Sequence, residues 1–166
     1  MPIFRGYQAV VARELRKFAR HRNEVTQPLI FFLLVVSLFS IAVGGDERLI
    51  KQIAPATAWV AVVLAITLKL ESIFSTDYAD GSLEQLRLST TPLTILVAAK
   101  LVAHWLCLTL PQVISAAAVL LIIGIPPGVC LALTGSLLLG TPALVAVGAI
   151  AASLSLGSRT GGTLIA

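Results

Sequence analysis

The sequence predicts an all-α fold, a polytopic membrane helix bundle that forms one transmembrane domain over residues 1–166. Three observations predict it. Of the 166 residues, 57% are apolar and 12% are charged, against about 25% charged in a typical soluble domain. The charges fall in islands, and the stretches between them are long enough to cross a bilayer, which takes about 20 apolar residues. The basic residues are also unevenly shared among the islands, as topology requires.

The first element is an amphipathic helix over residues 3–22. Ile3, Phe4, Tyr7, Val10, Val11, Leu15 and Phe18 recur at three- and four-residue spacing, while Arg5, Gln8, Arg13, Arg16, Lys17 and Arg20 take the other face. Such a helix lies in the plane of the membrane interface. Arg13, Arg16, Lys17 and Arg20 are its membrane-interface candidates. The basic stretch is longer than the n-region of a usual signal peptide, although Ser40-Ile41-Ala42 loosely resembles a cleavage site.

Span one is Val25–Gly45, which carries no charge. Span two covers about 52–70. Pro28 and Pro55 each stand near the start of a span, where a missing N–H costs little. From Leu101 to Ser158 there is no Asp, Glu, Lys or Arg. Pro126-Pro127-Gly128 divides this run into span three, about 93–125 with its lead-in, and span four, about 129–156. Pro111 should kink span three. Span four is rich in small residues, which lets it approach its neighbours closely, and Gly140-Thr141-Pro142 should kink or break it. Residues 159–166 read as the start of an incomplete fifth span.

Six basic residues precede Asp46, from Arg5 to Arg22, while the loop at 46–51 has two, offset by Asp46 and Glu47. The positive-inside rule therefore puts the N-terminus and residues 69–100 in the cytoplasm and the Pro-Pro-Gly turn outside.

The island at 69–100 is the most informative segment, because Glu71, Asp77, Asp80, Glu84 and Arg87 must lie outside the hydrocarbon. Thr76 to Gly81 is turn chemistry. Ser82-Leu83-Glu84-Gln85 matches a capping box for a short helix Leu83–Leu88. Thr91 then caps the next helix, with Pro92 at its first position. A helix this short needs a docking surface. The island reads either as a solvated loop or as a partner-docking element.

Several functions are disfavoured. No GxxxxGK[ST], HExxH or GxSxG motif occurs, so no catalytic residue and no metal ligand is assigned. Aromatic–basic interleaving for nucleic acid is absent, and a proton-driven carrier would want a charge within a span. Cys107 and Cys130 stand roughly 28 Å apart in depth, too far for a disulfide. His104 adjoins Trp105, an interfacial residue type. Packing is its commoner role, and haem contact the rarer one.

These residues carry a resemblance. Leu70-Glu71, Asp80 to Leu86 (DGSLEQL), Ala99-Lys100, Ala103-His104-Trp105, Leu138 to Pro142 (LLGTP) and Arg159 to Gly162 together resemble the CcmB family. These are permease subunits of the haem-exporter-type ABC system of cytochrome c maturation. The resemblance covers essentially the whole chain. It implies a permease of about six spans, of which this chain supplies about four, as a C-terminally truncated form would. It implies an ABC exporter-like fold, with the N-terminal helix as elbow and the 69–100 island as coupling segment.

Glu71, Asp77, Asp80, Gly81, Ser82 and Glu84 would then dock an ATPase. ATP would be bound by a separate subunit, CcmA, and haem would be engaged at the level of the complex, with no cofactor on this chain. CcmC, CcmD and the haem chaperone CcmE would be further partners, with a second permease copy making a dimer. The setting would be the bacterial inner membrane. Two alternatives stay open: an ABC permease for lipid, glycan or drug, and a non-transporting scaffold for the assembly complex.

Overall fold

The computed structural model describes residues 2–20, 22–70, 72–79, 81 and 92–163. Every regular element among them is helical. In chain order they are α1 (Pro2–Arg20), α2 (Arg22–Ala42), α3 (Glu47–Leu70), α4 (Ser72–Ala79), α5 (Leu93–His104), a π-helical turn (Trp105–Thr109), α6 (Leu110–Ile123) and α7 (Pro127–Thr163). Four stretches are long and apolar enough to cross a membrane: Asn23–Ala42, Glu47–Ser75, Leu93–Ile123 and Pro127–Ser155. The chain is thus a multi-pass membrane protein, as its hydropathy predicts.

The turns at one end follow from local chemistry. Gly44 and Gly45 adopt φ of 71° and 78°, which end α2 in a conformation that costs glycine little. Asp46 then caps α3, its Oδ1 accepting from the N–H groups of Arg48 (2.9 Å) and Leu49 (3.3 Å). Gly124, at φ 83°, closes α6. Its N–H donates to Leu121 O and that of Ile125 to Leu120 O, a Schellman end. Pro126 and Pro127 follow, and α7 starts at Pro127. Lys51 approaches Gly124, so the two loops share one end of the bundle. At the opposite end Lys69 Nζ donates to Gln27 Oε1 at 2.8 Å.

The core lies between α2, α3, α6 and α7, around Phe32, Ala58, Ala61, Val62, Leu120, Leu137 and Val145. Small residues set the distance between α3 and α7. A Cβ at Gly140 would stand 2.8 Å from the Trp59 ring, and one at Gly148 would run into Leu70. Trp59 Nε1 donates to Ser136 Oγ at 3.0 Å. These contacts seat one face of span four on span two, while Leu131, Leu139, Val147, Ile150 and Leu154 stay exposed on the other.

Several expectations are corrected. α7 does not break at Gly140-Thr141-Pro142 but runs as one helix through Arg159 to Thr163. Thr141 is fully buried and its hydroxyl donates to Leu137 O at 2.7 Å, so the turn that loses an N–H at Pro142 is braced from within. Span three departs from a regular helix just before Pro111: the Leu110 N–H donates to Trp105 O, five residues back. The wider turn lies over the residues whose carbonyls the proline ring would crowd. Pro92 itself holds the N-cap position of α5, with φ −53° and ψ 132° and no side-chain cap bond, one residue beyond the expected start. Thr76 to Ala79 is helix, not turn.

Candidate functional site

At the end of the bundle opposite the Gly-Gly and Pro-Pro turns, α1, α4 and α5 meet around one carboxylate. α4 presents Ile73, Phe74 and Asp77 on a buried face, at the i, i+1, i+4 spacing of one helical side. α5 presents Leu96, Ala99, Lys100, Ala103 and His104 inward. α1 lies along α5 with Val10, Glu14 and Phe18 buried, one turn apart from each other. Val10 packs with Leu96 and Ala99, with Tyr7 and Val11 alongside. The Phe18 ring meets His104 edge-on, with centroids 6.2 Å apart.

Between those apolar contacts sits the charge cluster. Lys100 Nζ donates to Asp77 Oδ2, and both side chains are almost fully buried. The same ammonium stands 5.7 Å from the Phe74 ring centroid, inside the range of a cation–π contact. From α1, Arg13 reaches Asp77 Oδ2 at 3.4 Å and Lys17 approaches Oδ1 at 3.6 Å. Arg13 also donates to Glu14 Oε1 at 3.1 Å. Burial pushes the Asp77 carboxyl upward, but Lys100, Lys17 and Arg13 together outweigh it and hold Asp77 below its usual range.

The contributions differ in size. Lys100 and Asp77 are shielded from water, and removing one partner of such a pair costs about 3–5 kcal/mol, because the other charge is left uncompensated. The Arg13 side chain is 43% exposed and that of Lys17 27%, so each of their ion pairs contributes about 0.2–1 kcal/mol. The buried pair holds α4 to α5, and the two outer cations fasten α1 to that pair.

This arrangement changes the meaning of several predicted residues. Asp77, expected on a water-facing turn that docks a partner, is buried in α4 at 3% exposure. Arg13 and Lys17, expected at the membrane interface, are turned toward Asp77. Arg16 and Arg20 remain exposed, with Arg16 Nε donating to its own helix at Ala12 O. Trp105, expected at the interface, packs on the core, and its Nε1 donates to Thr141 Oγ1 at 2.9 Å. His104 is buried beneath Phe18. Gly81 is exposed at φ 67°, and its N–H donates to Tyr78 O, so α4 ends in a left-handed turn. Glu71, Asp80, Ser82, Glu84 and the expected helix Leu83–Leu88 lie outside the described residues. Cys107 and Cys130 are both free thiols.

Two members of the cluster were missed as site residues. Glu14 interrupts the apolar stripe between Val10 and Phe18, and a carboxylate at that position is a sign that a cation must meet it. Lys100 is the one charge in the stretch from Leu93 to Ser158. Leu15, expected in the stripe, is 40% exposed.

Comparison with known proteins places this architecture. The chain is 42% identical over 160 residues to the heme exporter protein B of Pseudomonas aeruginosa, covering 96% of this chain and 72% of that protein. It is 43% identical over 156 residues to the protein of the same name from Haemophilus influenzae, covering 94% and 71%. The Paracoccus denitrificans protein of that name is 39% identical over 158 residues, covering 95% and 72%. The family model described as CcmB protein matches residues 5–166, which takes in all but the first three residues of α1, the charge cluster and all four spans: the chain belongs to the CcmB family.

Proposed function

We propose that this chain is the membrane permease subunit of an ABC-type haem exporter serving cytochrome c maturation. The observation that carries the reading is the 42% identity, over 96% of the chain, to a protein named heme exporter protein B. In this reading ATP is bound and hydrolysed by a separate subunit, CcmA. CcmC and CcmD complete the complex, and the haem-loaded chaperone CcmE is released on the outer side. Two permease copies make the membrane pathway.

The distribution of basic residues supports an N-terminus and a 69–100 segment on the cytoplasmic side of the bacterial inner membrane. On that side the segment between α4 and α5 acts as the coupling element. Glu71, Asp80, Ser82 and Glu84 are its docking residues, with Gly81 as its turn. Asp77, being buried, belongs to the support beneath them. Arg16 and Arg20 lie toward the anionic headgroups.

The test is affinity purification of the full-length protein from its membrane. The ATPase subunit should copurify with the unaltered chain, and Asp80→Lys combined with Glu84→Lys should abolish copurification. Retention of the ATPase by the double variant, at unchanged ATPase activity, would overturn the docking assignment.

A further inference from the structure

We propose that Asp77 is a positioning residue for the coupling step. It clasps α1 to both arms of the coupling segment, so that displacement of that segment carries α1 with it. This inference rests on the coupling reading above and adds α1 to the moving unit.

The geometry is specific. Asp77 lies on the arm that enters the 80–91 segment, four residues before Gly81. Lys100 lies on the arm that leaves it, in the second turn of α5. Arg13 and Lys17 come from α1, 64 residues away in sequence for the Arg13–Asp77 bond. One carboxylate is therefore the shared partner of three elements. Because Asp77 and Lys100 are shielded from water, neither arm can move away without leaving a bare charge inside the protein. The two arms thus move together.

α1 is held to them at three levels. Val10 packs on Leu96 and Ala99 at one end, Phe18 on His104 at the other, and the Arg13–Lys17 fork grips Asp77 between them. A helix that merely floated at the membrane surface would need none of the three. A topology signal would be served by positive charge alone and would not require the buried Glu14.

Full-length chains assembled with the ATPase test this. The variants are Asp77→Asn, and Arg13→Met with Lys17→Met. Copurification of the ATPase and matured cytochrome c per ATP hydrolysed are both measured. The expected result is unchanged copurification and at least a tenfold loss of output per ATP in both variants. Wild-type output in either variant overturns the clasp.

If Asp77→Asn does not accumulate in the membrane, Arg13→Met with Lys17→Met decides alone, since those partners are part-exposed and each of their ion pairs contributes only about 0.2–1 kcal/mol. Failure of the ATPase to copurify with the unaltered chain is a separate outcome and strikes the coupling reading itself.

Discussion

α3 and its extension α4 are held in opposite ways. From Trp59 to Leu70 α3 meets α7 through close approach, with Gly140 against the Trp59 ring, Gly148 against Leu70, and an indole N–H to Ser136. At the charged end its continuation α4 meets α5 and α1 through Asp77, Lys100, Arg13 and Lys17. The first contact depends on shape and is indifferent to ionisation. The second adds to its apolar packing a set of ion pairs that depend on one carboxylate remaining charged. Lipid tails are as apolar as leucine, so small-residue packing is what joins helices within the bilayer. Beyond the hydrocarbon, charge can hold elements together, and can do so in steps. The seam gives a fixed frame, and the cluster gives a joint with a defined place to open.

The sharpest break of that contrast is Asp77→Ala. It leaves the Lys100 ammonium without its buried partner and should cost about 3–5 kcal/mol. The measurement is the unfolding midpoint in detergent, and early protease cleavage between α1 and α2 should accompany it. Gly140→Val comes next. The added carbons meet a rigid indole and cannot be absorbed, so overpacking should destabilise by about 1–3 kcal/mol in the same assay. Its signature is a shift in Trp59 fluorescence with the Lys100–Asp77 junction intact. A variant that loosened α1 instead would show that seam and junction are one unit.

Trp105→Phe removes the hydrogen bond to Thr141, about 0.6 kcal/mol by the mean for such bonds between membrane helices, together with the ring atoms packed on the core, and the unfolding midpoint in detergent should fall accordingly.

The smallest expected effect is pH. Asp77 is held below its ordinary range by its cations, so its folded value lies under its unfolded one, about 3.9. For a depressed carboxylate the stabilisation is present above the unfolded value and lost as pH falls through the folded one. α1 should therefore stay docked from neutrality to about pH 4 and loosen only below that. Protease accessibility of α1 across this range checks it. Release between pH 5 and 7 would show that another group holds the joint.

The spans were legible because exclusion of charge from lipid is written residue by residue. Val25–Gly45 and the Pro126-Pro127-Gly128 divider match α2 and the α6–α7 turn within a few residues. The amphipathic helix was legible for the same reason, though its partner was not. Val10 and Phe18 of the α1 stripe face α5, and periodicity cannot distinguish a protein surface from a membrane surface. The fate of Asp77 was illegible. Thr76 to Gly81 has turn chemistry, but a lysine 23 residues on and two cations from α1 let the helix continue and bury the acid. Thr141 and Pro142 misled in the opposite direction. A local breaker was overridden by a hydroxyl that donates back into its own helix and accepts from Trp105.

The sequence by itself determined the helix class, the number of spans visible in this chain, the glycine-ended turns and the amphipathic α1. Each of these depends on local hydropathy or on backbone conformation at a few adjacent residues. Only the tertiary structure decided which charges are buried, that Glu14 and Lys100 belong to one cluster with Asp77, and that Trp105 joins two helices. Those outcomes depend on partners far away along the chain, and the energy of a charge is set by what surrounds it.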